Sequence, residues 1–264
     1  MRCSPLVLLS ALLATAPAGA QVELTPTVIA TAGGTLAGGG VRLDQTIGEP
    51  VYTSLSAART RLDQGFQQSA PVRIRLDLRA LLEGPYRGGT GRMIDSLRTA
   101  GYLPMTEPYT ALGFAQVGGG GEHTTSSVLA VAGDDAVVDW ILLELRDAAD
   151  STLVVATRCA LLQRDGDVMD VDGSAHVAFA APPGPYHLCV KHRNHLAVLT
   201  LNPIMIGETA TAVDLTDGST ATYGTEAQKA NGAVRLLWAG DVNSDGELKY
   251  TGVHNDRDPI LSAI

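Results

Sequence analysis

Between Gly240 and Gly246 the chain reads Gly-Asp-Val-Asn-Ser-Asp-Gly, so Asp241, Asn243 and Asp245 occupy the first, third and fifth positions of a D-x-N-x-D-G pattern. Oxygen-bearing side chains at this spacing converge within one turn on a hard cation such as Ca2+. Gly at the sixth position tolerates the sharp reversal, and the carbonyl of the seventh residue, here Glu247, adds a ligand. An EF-hand places a bidentate Glu at the twelfth position, where this chain has Gly252. Further ligands lie beyond it. Asn255 and Asp258 are three residues apart, as in a short calcium loop with an insertion running from Lys249 to His254. Asp258 is the expected closing ligand and Asp256 its competitor. Asp258 also precedes Pro259, a pairing that predicts an N-cap and a helix start. The competing reading is an Asx-rich turn that binds nothing.

Other constellations invite chemistry less strongly. His187, His192 and His195 suggest a transition-metal site, but on one continuous strand His187 and His195 share a face while His192 points away. The expectation is therefore a hydrogen-bonded polar strand end. Asp165, Asp167, Asp170 and Asp172 surround two Asp-Gly turns and read as turn chemistry rather than a glycosidase pair. The run Gly118 to Gly121 is followed by Glu122 and His123 instead of a Lys and a helix, so it reads as a loop and not a phosphate cradle. The sequence contains no Gly-x-Ser-x-Gly elbow, His-Glu-x-x-His or P-loop, and the expectation is a protein without catalysis.

The segment from Asp241 to Leu261 resembles the C-terminal region of a family of exported Bacteroidota proteins, in which an Asp-Val-Asn-x-Asp-Gly loop leads to Lys-Tyr-Thr-Gly and Asn-Asp-Arg-Asp-Pro-Ile-Leu. Leu82-Glu-Gly-Pro-Tyr86, Thr106-Glu-Pro-Tyr109, the run from Val138 to Asp147, the run from Leu161 to Asp167 and His192-Arg-Asn-His-Leu196 also resemble segments of that family. The resemblance implies a secreted or surface-displayed, calcium-stabilised β-sandwich protein, sometimes labelled hemagglutinin-like, with no established catalytic activity. Members often carry a second calcium loop and a C-terminal sorting segment. Neither follows here, so a truncated relative is expected. The spacing of Asn255 and Asp258 is also similar to that in dockerin modules. A dockerin-type protein-interaction module, or a glycan-binding module of an extracellular polysaccharide-processing system, is therefore the alternative function, although a dockerin pairs two such loops. The expected partner is a surface protein or a glycan.

The elements that must carry these residues begin with an export signal over residues 1–20: Arg2 supplies the positive end, Leu6 to Ala14 the apolar run and Ala18-Gly-Ala20 the cleavage site. About nine apolar residues are too few to span a bilayer, which needs roughly 20, and no later segment qualifies, so no membrane span is expected after signal removal. With 19 Lys and Arg against 28 Asp and Glu, the formal charge is −9. That balance argues against a nucleic-acid partner, which needs clustered positive charge. After Cys3 leaves with the signal, Cys159 and Cys189 remain. In an exported chain a disulfide between them is the default, and two buried free thiols the alternative.

Residues 21–70 hold short β-prone pieces divided by Gly and Pro and predict a small β-rich segment, with Ser69-Ala-Pro71 as a linker. Residues 71–215 are expected to form the sandwich, and 216–264 the calcium-loop segment. Val72, Ile74, Leu76 and Leu78 alternate with polar residues, which predicts a half-buried strand. Met93 to Ala100 reads as a short amphipathic helix ended by Gly101. In the strand around Trp140, Val138, Trp140 and Leu142 share one parity and Ile141, Leu143 and Leu145 the other, as in a central strand buried on both faces. Asp165-Gly166 predicts a hairpin, and Tyr186 to Leu201 reads as one continuous strand. The fold class expected is all-β, a β-sandwich of Ig-like or prealbumin-like type.

Overall fold

The computed structural model describes residues 32–38, 41–47, 54–57 and 60–63 as backbone strands, and residues 72–262 in full. The expected signal at 1–20 and the linker at 69–71 lie outside the described residues. The chain divides into two compact units, Met1–Gln68 and Ser69–Ile264. In the first, β1 (Ala32–Gly38) pairs antiparallel with β2 (Val41–Ile47), and β3 (Ser54–Ala57) with β4 (Thr60–Asp63). Among the described residues, the small β-rich segment holds these two antiparallel pairs. The second unit spans both the expected sandwich region and the C-terminal segment, with no division near residue 216.

That second unit opens with β5 (Ile74–Arg79), the short pair β6 (Tyr86–Arg87) and β7 (Arg92–Met93), and the single turns α1 (Ser96–Thr99) and α2 (Ser126–Leu129). The long strands follow: β8 (Val137–Asp147), β9 (Val154–Gln163), β10 (Asp167–Met169), β11 (Val177–Phe179), β12 (Gly184–His192) and β13 (His195–Leu199). Shorter pieces close the chain: β14 (Ile204–Ile206), β15 (Thr211–Asp214), the hairpin β16 (Lys229–Asn231) and β17 (Val234–Leu236), and α3 (Arg257–Ser262).

Nine strands join one largely antiparallel sheet, in the order β11-β5-β10-β9-β8-β12-β13, with β14 on β12 and β15 parallel to β5. The protein is all-β. Apart from the short β6–β7 pair, hydrogen bonds link the strands of the expected sandwich into this single sheet instead of two separate ones. Because β14 and β15 are consecutive, and Arg75 N–H donates to Gly207 O at 2.9 Å, the two ends of the sheet are drawn together. The face enclosed in this way holds the larger core, including Ile74, Leu76, Leu78, Ile141, Leu143, Leu145, Leu188 and Val190. The other face carries Trp140, Leu142, Cys159 and Leu161, covered by Leu103, Tyr109 and Val128 from the long connection before β8. Central strand β8 is therefore buried on both sides.

Two local departures from the expected pattern have physical causes. Val137 faces Gln163 and Asp139 faces Leu162, so Val138 is an extra residue in β8. This bulge moves Val138 into the enclosed core, away from Trp140. The expected strand from Tyr186 to Leu201 is two strands, β12 and β13, joined at Arg193-Asn194. Neither turn residue has a positive φ. A turn that needs no Gly leaves little signal in the sequence. Met93 also lies in β7, which shortens the expected helix to Ser96–Thr99, although Gly101 does end it with φ +73°.

Candidate functional site

The C-terminal loop is an array of side-chain to backbone hydrogen bonds. Asn243 Oδ1 accepts from Asp245 N–H at 3.1 Å, and Asp245 Oδ1 from Glu247 N–H at 2.9 Å. Asp241 Oδ2 accepts from Gly246 N–H at 3.3 Å, where Gly246 has φ +83°. Asp241 is only 4% exposed, yet its Oδ1 has no hydrogen-bond partner. Burial raises its pKa, and Asp256 and Asp245 add to the rise. Asn243 turns its Nδ2 toward Asp245 Oδ2 and His254 O, both at 2.9 Å, so an amide donor supplies part of the positive charge the oxygens need.

Of the two competing closing ligands, Asp256 is the one at the loop. It is buried; its Oδ1 accepts from Val242 N–H at 2.9 Å and its Oδ2 from Lys249 N–H at 2.7 Å. Asp258 is exposed, with its carboxylate on Asn255 Nδ2 and Arg257. Asn255 Oδ1 accepts from Asp258 N–H at 3.0 Å, so Asn255 caps α3 in the role expected of Asp258. Glu247 is exposed and its backbone N–H belongs to the Asp245 turn. The carboxylates of Asp241, Asp245 and Asp256 do not all come within 4.8 Å of one another.

The root of this loop is held by residues that the sequence pattern left apart. Residues 237–240 run between the segment 81–84 and the β12–β13 turn: Leu237 N–H donates to Leu81 O, Leu196 N–H to Trp238 O, and Gly240 N–H to Asn194 O at 3.0 Å. Glu83 Oε2 accepts from Ala239 N–H at 2.9 Å, while its Oε1 pairs with Lys229. Beneath the turn, His192 and His195 face each other with Nδ1 atoms 3.0 Å apart. His192 Nε2 lies 3.2 Å from Asp139 Oδ2, and Arg193 Nη1 donates to Asp139 Oδ1 at 2.6 Å. Gly84 N–H donates to His195 Nε2 at 3.3 Å. Three segments quoted above for the resemblance, 82–86, 138–147 and 192–196, therefore meet at one place, together with residues 237–240. His192 and His195 do not point apart as expected, because the turn sends them back along neighbouring strands. His187 lies elsewhere, its Nδ1 on Thr200 O.

Burial works to raise the Asp139 carboxyl, but His192 and Arg193 outweigh it and hold the group below its ordinary value. His195 is pushed down to about 3 by burial, and by its neighbours His192 and Arg193 against the pull of Asp139. A pocket of about 260 Å³ reaches these groups, with apolar walls that include Leu82, Pro85, Ile94 and Leu97.

A third cluster lies on the other face of the sheet. Glu107, Glu122 and Cys159 are buried with ligand atoms within 4.8 Å of one another. Its one local mark in the sequence is Glu122 following the glycines. Its atoms are engaged: Glu107 accepts from Gly121 N–H and Thr110 N–H, Glu122 from Gly120 N–H and Cys159 N–H, and the Cys159 thiol donates to Glu107. Burial, with Glu122 and Glu107, pushes that thiol well above the usual range. The cluster ties the glycine loop to β9.

The expected disulfide is not formed; both cysteines are free and buried. Cys159 faces Leu142 and Cys189 faces Glu144, so β8 runs between them. Two strand spacings of about 4.8 Å exceed the roughly 4.4–6.8 Å between Cα atoms that a disulfide allows. The expected turn aspartates are also separate: Asp167 pairs with Arg79, Asp170 with Arg158, and Asp172 with Ser174. Among the described residues, no helix is long and apolar enough to cross a membrane. Comparison with family models, curated proteins and solved structures gave no match.

Proposed function

We propose that the chain is an exported, non-catalytic structural or adhesive protein of the cell surface or its surroundings, whose C-terminal loop is stabilised by Ca2+. The unpartnered, buried Oδ1 of Asp241 carries this reading, because a buried carboxylate oxygen without a donor is costly unless a cation meets it. The alternating oxygens of Asn243 and Asp245 and the carboxylate of Asp256 are further donors of the right chemistry in the same loop. The sandwich description belongs to the same reading, with its two layers formed by one curled sheet. The net charge of −9 and the sequence of residues 1–20 support export and a role outside the cell.

One observation favours a dockerin-type role beside it. No residue of α3 is buried, and Tyr250 and Val253 are each 74% exposed next to the loop. Those side chains are available to a surface-protein partner. A glycan platform has less support, since Trp140 is buried and the Trp238 indole N–H donates to Glu226 O with Lys229 over the ring.

Calorimetry with calcium and with chelator tests the calcium reading. At a hundredfold excess over Kd the stabilisation should be about 2.7 kcal/mol. Asp241→Ala should abolish it and Asp165→Ala should leave it intact. Identical melting of the parent chain in both conditions, or an unchanged calcium response in Asp241→Ala, would refute the site.

A further inference from the structure

Four ring nitrogens of His192 and His195 fit one pattern of protons. Gly84 N–H donates to His195 Nε2, so that nitrogen is an acceptor and the His195 proton sits on Nδ1. That proton is directed to His192 Nδ1 at 3.0 Å, with Asn194 Oδ1 at 2.7 Å as a second acceptor. His192 then carries its own proton on Nε2, facing Asp139 Oδ2. The tautomers assigned in this way give a relay from Gly84 through His195 and His192 to Asp139, with both rings neutral. A third proton finds no lone pair. On His192 Nδ1 it would confront the His195 Nδ1 proton, and on His195 Nε2 it would confront Gly84 N–H.

The groups around the rings give no other outlet. From β8 comes Asp139, which already accepts from Trp140 N–H and Arg193 as well as His192. The turn brings the positive Arg193. Segment 81–84 brings Glu83, committed to Lys229 and Ala239. Tyr109 points its hydroxyl at Trp140 O, and α1 contributes only the uncharged Ser96 and Leu97 to the pocket. The pocket gives water and protons a path to the rings.

We propose that Asp139, His192 and His195 form a proton-operated latch, which closes only with the His195 imidazole neutral and on acidification releases the 193–196 turn from residues 84 and 238–240. Its consequence falls on the root of the Asp241 loop, since Gly240 N–H is bonded to Asn194 O. The latch stands whether or not that loop takes a cation. A histidine whose pKa is lowered in the closed form gives stability that is complete above its ordinary pKa of about 6.5 and declines below it. Each proton taken up on opening raises the open fraction about tenfold per pH unit below that value.

Amide hydrogen exchange of the full chain, corrected for intrinsic rates, tests this at Gly84, Leu196 and Gly240, with Ile141 to Leu143 in β8 as the reference. Between pH 6 and pH 5, protection at the three latch amides should fall about tenfold while the reference amides hold. In His195→Gln, which keeps an acceptor for Gly84 but removes the second ring, the fall should vanish. Constant protection in the parent chain, or the same fall in His195→Gln, would overturn the proposal. Should that variant not fold, long-range proton–nitrogen correlations of the parent chain at pH 7.5 and 6 decide. Neutral rings protonated at His195 Nδ1 and His192 Nε2 support the latch. A charged His195 with Gly84 still protected overturns it. Repeating the exchange in chelator separates a failed latch from a failed calcium site.

Discussion

At Asp241 a carboxylate almost wholly removed from water keeps one oxygen without a donor. Its pKa is raised by burial and by Asp256 and Asp245, so the folded state binds more protons there than the unfolded chain does. Without a cation, this group costs stability as pH rises from about 3.9 through the raised value. In chelator, Asp241→Asn should therefore lose less stability than the parent chain between pH 4 and pH 6 in thermal melts; parallel curves would remove Asp241 from the account. The cysteines make a second test at this scale. The thiol of Cys189 is pushed up to about 11 by burial and by Glu144, and that of Cys159 higher still. A thiol reagent at pH 8 should find neither in the native protein, and both once the unreduced chain is denatured. A denatured chain with neither thiol free would restore the disulfide.

Among the elements, β8 decides most. It pairs with β9 and β12, and its Trp140 is fully buried with Nε1 donating to Pro104 O at 2.9 Å. Trp140→Ala should cost about 3–5 kcal/mol in denaturant unfolding. A loss below about 1 kcal/mol would contradict the packing. The glycine loop is a second sensitive element. A Cβ on Gly119 would lie 2.4 Å from Thr157 O, a backbone atom of β9 that cannot swing away. Gly119→Ala should destabilise by about 1–3 kcal/mol. Gly89→Ala, with nothing near its Cβ, should be close to neutral in the same assay.

For the whole molecule, the second unit contains both hydrophobic clusters and every site described above. A chain beginning at residue 69 should therefore unfold in one cooperative transition, with near-ultraviolet circular dichroism showing an ordered Trp140. A broad, non-cooperative melt would mean that residues 1–68 are needed for the fold.

The sequence by itself determined the all-β class, the burial of both faces of β8 and the alternation of β5, because each rests on local periodicity. Tertiary structure decided the rest. The bulge at Val138 shifted the parity of β8 and brought Asp139 to His192. A turn without Gly turned one expected strand into two and set His195 against His192. The intervening β8 kept Cys159 from Cys189, and the folded loop took Asp256 inward while leaving Asp258 in solvent. Each of these depends on which strands are neighbours and in what register. Residues far apart in the chain fix that together, and a local pattern does not contain it.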